Sequence, residues 1–267
     1  MTFRDLHQPG NPFILANAWD VGSAKLLAGL GASAIATSSS AQAFTLGRGD
    51  RGTLSRDEAL AHASDLVSAV GVPVSGDFEN GFGHDPDTCA ETVRLAAEAG
   101  LAGISIEDIA NPEVRAYDRD LAVERIRAAA AAARALPRDF VLVARADGVM
   151  ENVYDMDEAI ARITAFDAAG ADCLYVPAPP DRDALTRVVA ATKKPVNALA
   201  AGSWAATSQA EFANLGIARI SIGGALGRVT QAVIRDLGRA MIEDGDFSGL
   251  AAGASEDEIL AIFDRAG

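Results

Sequence analysis

Lysine, histidine and cysteine are scarce in this 267-residue chain, with three, three and two copies. Each scarcity removes a class of chemistry. A Schiff-base mechanism needs a buried lysine at a strand end. Lys25 instead falls in a helical stretch, and Lys193 and Lys194 precede a strand, at the opposite end from the one that would carry a site. Cys89 and Cys173 sit in an apolar-rich helix and strand without metal-type spacing, and read as buried thiols. Basic residues are also few, 23 against 37 acidic, for a net charge of −14. Such a chain repels a phosphate backbone or an anionic bilayer, which argues against nucleic-acid and membrane partners. No stretch reaches the roughly 18 uninterrupted apolar residues of a membrane span, and Met-Thr-Phe-Arg-Asp-Leu-His at the N-terminus lacks an apolar signal core. The expected location is the cytoplasm.

What is present is a large apolar fraction, 49%, enough for one sizeable core. Short apolar runs alternate with helical patterns. Strands are expected at Phe13 to Asn17, Ser33 to Ser38, Val72 to Asp77, Gly103 to Glu107, Phe140 to Arg145, Asp172 to Val176, 195 to 199 and 218 to 222. Between them, Ser55-Arg-Asp-Glu58 has capping-box spacing, Asp85-Pro86 is an N-cap and first-turn pair, and six consecutive alanines mark a helix over 121 to 135. Eight strand–helix units with no linker predict one α/β domain over 1–267, a (β/α)₈ TIM barrel, in preference to a doubly wound sheet. Residues 244–267 lie beyond the eighth unit. They read as a C-terminal helical extension, with capping-box spacing from Ser255 to Glu258 and apolar Ile259, Leu260, Ile262 and Phe263 that need a surface to pack on.

The stretch from Pro73 to Gly83 organises the rest. A strand ends in Asp77 and Glu79, which period-two geometry places on one side with Phe78 turned away. Two close carboxylates repel unless a proton or cation settles them, and hard oxygen ligands suit Mg²⁺ or Mn²⁺ better than zinc. The competing reading is a polar loop capping the next helix. In a barrel, catalytic groups come from strand C-terminal ends. Those positions hold Ser38, Ser39 and Ser40, Asp50, Asp77 with Glu79, Glu107 with Asp108, Arg145 with Asp147, and Asn197, while strand interiors elsewhere read as almost wholly apolar. Acids after strands two, three and four beside an arginine after strand five make a coherent cation site. Ser38 to Ser40 fit equally a turn that caps its own backbone, and Asn197 a loop tether. His84 reads as a surface histidine or an acid/base at the mouth. Gly223-Gly224 reads as a phosphate cradle or a close helix contact.

Taken together, Asn17-Ala-Trp-Asp20, Thr37-Ser-Ser-Ser40, Gly49-Asp50, Asp77-Phe-Glu-Asn-Gly-Phe-Gly83, Ile106-Glu-Asp108 and Ala144-Arg145 resemble the successive motifs of the isocitrate lyase/phosphoenolpyruvate mutase superfamily, from about residue 10 to 240. The resemblance implies Mg²⁺ held directly by Asp77, with Asp50, Glu79 and Glu107 in its shell mostly through water. It implies that backbone amides around Ser38 to Ser40, together with Arg145, hold the carboxylate of an α-oxo acid. It also implies a homo-oligomer, dimer or tetramer, in which the last helix is exchanged with a neighbour.

Departures from the pattern narrow the chemistry. Isocitrate and methylisocitrate lyases of that family carry a Lys-Lys/Arg-Cys-Gly-His loop after the glutamate matched by Glu107. Here the loop reads Ile109-Ala-Asn-Pro-Glu-Val-Arg-Ala-Tyr117, and Pro177 stands where those lyases have a strand-six glutamate. The lysine of the phosphonate branch is missing too, leaving Arg115 or Arg119 as an anion ligand there or as solvated loop residues. The expectation is an enzyme, a Mg-dependent lyase that breaks a C–C bond of a small α-oxo or α-hydroxy acid through a metal-stabilised enolate, with Arg145 and Glu107 as catalytic residues. C–P chemistry on phosphonopyruvate, or a non-catalytic α-oxo acid binder, are the alternatives.

Overall fold

The computed structural model describes residues 2–267. Eight parallel strands close into a barrel: β1 (Phe13–Asn17), β2 (Ala34–Ala36), β3 (Val74–Asp77), β4 (Gly103–Glu107), β5 (Val141–Arg145), β6 (Cys173–Tyr175), β7 (Val196–Leu199) and β8 (Arg219–Ser221). Each strand pairs with its neighbours in sequence, and β1 pairs with β8 through Phe13 opposite Arg219, which excludes the doubly wound sheet. The helices are α1 (Val21–Gly29), α2 (Ser39–Thr45), α3 (Arg56–Ala69), α4 (Pro86–Glu98), α5 (Arg119–Ala135), α6 (Met156–Ala169), α7 (Arg182–Ala190), α8 (Gln209–Asn214), α9 (Ala225–Arg239) and α10 (Glu256–Phe263).

Local chemistry explains the boundaries. Asp20, Ser55, Asp85, Asp155, Asp181 and Ser208 each accept the backbone N–H three residues on, at the start of α1, α3, α4, α6, α7 and α8; such a cap contributes about 1 kcal/mol. The expected capping box at Ser55 and Glu58 forms in both directions. At Ser255 only the serine half forms: the Ser255 hydroxyl accepts from the Glu258 N–H. Two elements escaped the sequence reading. One is α2, capped by the Ser38 hydroxyl. The other is a two-residue hairpin pairing Ile109–Ala110 with Arg115–Ala116.

Two apolar compartments follow from strand alternation. Leu15, Ala34, Ala36, Val141, Val143, Cys173 and Tyr175 fill the barrel with Phe3 below them, while Ile35, Ile104, Ile106, Leu142, Ala144 and Leu174 face the helices. The alanine face of α5, including Ala122, Ala129 and Ala133, is buried against that outer layer. Among the described residues no helix is long and apolar enough to cross a membrane.

The C-terminal helix forms as expected and finds a packing surface within this chain. Ile259, Ile262 and Phe263 are partly buried on this chain's own barrel, and only Leu260 remains in water. Ile262 lies so close to Gly29 of α1 that a Cβ there would sit 2.0 Å from its carbonyl oxygen, and Lys25 lies over the Phe263 ring at 5.7 Å. The exposed apolar surface lies instead on α9 and the turn beyond it, at Val229, Val233, Ile234, Ile242 and Phe247.

Candidate active site

The C-terminal ends of the strands surround a cavity of about 190 Å³. Ser38, Ser39, Ser40, Asp50, Asp77, Glu79, Glu107 and Arg145 all line it. Asn197 does not. It is fully buried inside the barrel, where its amide donates to Ser221 Oγ (2.9 Å) and accepts from Arg219 Nε (2.8 Å). Its side chain thereby ties β7 to β8.

Asp77 terminates β3 opposite Ser105 of β4, and Phe78 turns away into the outer core. Its Oδ2 accepts from the N–H and hydroxyl of Ser39 (3.0 and 2.8 Å), and its Oδ1 accepts from Arg145 Nη1 (2.9 Å). The serine run therefore plays two parts at once, with Ser38 capping α2 and Ser39 fixing the carboxylate. Glu79 follows in a left-handed turn with φ of 44°, which brings its carboxylate back to accept from Gly52 N (2.8 Å) and Asn111 Nδ2 (3.3 Å). Asp50 is exposed at the mouth and accepts from the N–H of Arg51.

Arg145 stands opposite Glu107 in the β4–β5 register. Its Nη1 reaches Glu107 (3.1 Å) as well as Asp77, while Nη2 and Nε grip both oxygens of Asp147 (2.6 and 3.1 Å). Asp147 was visible in the sequence at this strand end but was not carried into the expected site. It is positioned by a second buried acid, Asp108, which accepts from the Asp147 N–H (2.9 Å), Tyr154 (2.8 Å) and Arg162 (3.0 Å). Arg125 of α5 was missed as well. It stacks on Tyr117 at 4.0 Å and donates to the carbonyls of Asn80, Gly83 and Glu107, holding together the loops after β3 and β4.

The site holds more negative charge than its partners settle. Burial pushes the Glu79 carboxyl up to about 7, against the Gly52 N–H and reinforced by Asp77 and Asp50. Burial drives Glu107 well above its ordinary range, opposed by Arg145 and reinforced by Asp147, Asp77 and Glu79. Burial works against the charge of Arg145, but Asp147, Glu107 and Asp77 together hold it firmly protonated. Yet among the described residues no three acids, histidines or cysteines close into a ready-made metal cage. The donor set is all oxygen and short of cations, which fits a hard divalent ion.

Several sequence candidates lie elsewhere. His84 bonds to Tyr117 through Nδ1 (2.8 Å) and does not line the cavity; Arg119 pairs with Glu158, and Arg115 is exposed. Cys89 and Cys173 are buried, and no lysine lines the cavity. Strand interiors are also less apolar than expected. Arg219, in Ala-Arg-Ile-Ser-Ile, points inward from β8 and reaches the cavity; an arginine at an inward strand position was the available signal.

The family model described as phosphoenolpyruvate phosphomutase matches residues 3–242. An uncharacterised protein of Mycobacterium tuberculosis strain CDC 1551 is 35% identical over 226 residues, 84% of this chain and 82% of that one. The 2,3-dimethylmalate lyase of Eubacterium barkeri is 31% identical over 193 residues, 69% of this chain and 65% of that enzyme. A solved protein of Burkholderia cenocepacia J2315 is 44% identical, with a TM-score of 0.93 over 98% of this chain and 94% of the other. With the family model matched over nearly the whole barrel, the chain belongs to the isocitrate lyase/phosphoenolpyruvate mutase superfamily, enzymes that act on small oxo acids as lyases and mutases.

Proposed function

We propose that this enzyme is a Mg²⁺-dependent lyase that breaks a C–C bond adjacent to C3 of a small α-oxo or α-hydroxy acid. The observation that carries the reading is the crowd of Asp77, Glu79 and Glu107 at adjoining strand ends, with Arg145 as the shared cation of Asp77 and Glu107 and none beside Glu79. Asp77 would hold the metal directly, with Asp50, Glu79 and Glu107 in its shell. When bound, the ion would supply Lewis-acid stabilisation of the enolate charge that develops as the bond breaks, worth several kcal/mol. Arg145, locked in orientation by both oxygens of Asp147, presents its guanidinium to the same space and would steady a substrate carboxylate. Ser39 fixes the Asp77 carboxylate, and Ser38 and Ser40 complete that wall of the substrate site.

The groups that are missing point the same way. No histidine, cysteine or lysine lines the cavity, so the side chains left to move a proton there are the carboxyls that burial raises, Glu79 and Glu107. Bonds that need the least proton transfer suit this site, as in decarboxylation of oxaloacetate or retro-aldol cleavage. The 2,3-dimethylmalate lyase among the relatives supports carbon–carbon cleavage of a branched malate. The test is a panel of oxaloacetate, C4-branched malates and phosphonopyruvate with Mg²⁺, read as pyruvate release. Turnover of phosphonopyruvate alone would move the assignment to C–P cleavage, and binding without turnover across the panel would make the chain a binder.

We also infer a homo-oligomer formed through α9. That helix buries only Gly227, while its Ile234 is 71% exposed and Ile242 in the turn beyond it 87%. So much contiguous apolar surface is costly in water. Sedimentation at micromolar concentration is expected to show a dimer or tetramer, and a compact monomer would refute it.

A further inference from the structure

Asp50 reaches the cavity mouth on a loop that packing does not hold. Every residue from Thr45 to Thr53 is exposed, and a Cβ on Gly49 would meet nothing within 4 Å. Polar contacts fix the segment instead, and two of them come from the residues just after Asp50. The Gly52 N–H donates to Glu79 (2.8 Å), and Arg51 Nη2 reaches both oxygens of Glu151 (2.8 and 2.6 Å), 100 positions away in the loop after β5. This is not an ordinary surface pair, which contributes little. The Glu151 side chain is only 8% exposed, its N–H donates to the Asp147 carbonyl (3.1 Å), and among the described residues Arg51 is its sole salt-bridge partner. Arg51 has a φ of 71°, in the left-handed region, which is costly for a residue with a Cβ and persists only where the surroundings fix it. Its N–H donates to Asp50 Oδ1 (2.8 Å) while its side chain crosses to Glu151.

We propose that Arg51 and Glu151 are positioning residues, whose ion pair straps the loop after α2 to the loop after β5 and so holds Asp50 over the acid end of the cavity. Neither has to touch substrate or metal. The inference rests on the proposed function, which counts Asp50 in the shell of the ion. A carboxylate that acts through water must stay within reach, and a loop that swings free loses that reach although Asp50 and Asp77 are both intact. Charge alone leads to a different expectation. Arg51 repels a nearby cation and Glu151 attracts it, so a pure field effect raises metal affinity when Arg51 is neutralised and lowers it when Glu151 is. A strap broken at either end lowers it both times.

Titration of the full chain with Mn²⁺, read by electron paramagnetic resonance of the free ion, tests this on Arg51→Met, Glu151→Gln and the exchanged double variant Arg51→Glu/Glu151→Arg. Glu151→Gln is expected to weaken Mn²⁺ about tenfold, as loss of an outer-shell support does, and Arg51→Met at least about threefold, because lost repulsion offsets part of its effect. The exchanged pair should return to within about twofold of the parent, and in an Asp50→Asn background the two single substitutions should add no further loss. Opposite shifts for the two single variants, or unaltered affinity, overturn the strap. The apo protein gives a second reading. Trypsin is expected to cut after Arg48 at least about fivefold faster in Glu151→Gln than in the parent, since cleavage follows how often a loop opens; an equal rate overturns the strap too. A parent that binds no Mn²⁺ sinks the proposed function instead, and the proteolysis then decides the strap by itself.

Discussion

At the N-terminal end of the barrel His7 lies edge-on between Phe3 and Phe13, with ring centroids 4.9 and 5.0 Å away. Burial, and then the nearby charge of Arg219, hold its pKa down to about 3, so it stays neutral and its Nδ1 bonds the Phe3 carbonyl. At the C-terminal end burial acts on Glu79, Glu107, Asp108 and Asp147 and pushes all four up, yet the chain keeps them there beside Arg145 and Arg162. Burial is the leading cause at both ends. At the bottom it is answered by neutrality of the histidine and at the top by concentrating charge, an arrangement that marks a functional site rather than a core.

Within the upper end two kinds of acid can be told apart, and the largest expected effect separates them. Asp108→Ala leaves Arg162 buried beside only Glu158 and removes the acceptor of Tyr154 and of the Asp147 N–H. Breaking a buried pair in this way costs about 3–5 kcal/mol, to be read from urea unfolding. A loss under about 1 kcal/mol would deny Asp108 a structural role. Asp77→Ala should behave in the opposite way. Metal-dependent turnover is expected to fall at least about a hundredfold, roughly 2.7 kcal/mol, while apo unfolding stays close to the parent, because relief of repulsion with Glu79 and Glu107 offsets the lost bonds to Ser39 and Arg145. A variant that binds Mg²⁺ as tightly as the parent would remove Asp77 from the metal site.

Arg145→Lys keeps the charge but loses the fork that grips Asp147 through Nε and Nη2. A drop in kcat/KM of at least about tenfold, ~1.4 kcal/mol, is expected; an unaltered value would take Arg145 out of the site. The smallest effect tests the lower end. Because the folded pKa of His7 is depressed, the unfolded chain takes up a proton near pH 6.5 that the folded chain refuses until about pH 3, so stability falls as pH drops through that window. Between pH 7.5 and 5.5 the contribution is about 1.4 kcal/mol. Replacing His7 by Leu should remove that share of the slope in urea titrations at the two pH values; identical slopes would place His7 outside the buried plug.

The order of strands and helices was legible in the sequence because its signals are local. Apolar runs of strand length, Ser and Asp caps and the alanine run of α5 act within a few residues of themselves. The short helix α2 was not, since Ser38 to Ser40 carry the same local signal for a capped turn and for a helix start. Asp77, Glu79, Glu107 and Arg145 could be picked out by their places at strand ends, and the barrel brings all four to one cavity. Chain order could not say which charges find partners. That Arg145 would be claimed by Asp77 and Glu107 as well as by its near neighbour Asp147, that Asn197 would pair with Arg219, and that Ile262 and Phe263 would fold back onto α1 while α9 stayed bare depend on residues tens to hundreds of positions apart. A charge's partner and its exposure to water are properties of the closed barrel, where distance in space replaces distance along the chain, and only the tertiary structure decides them.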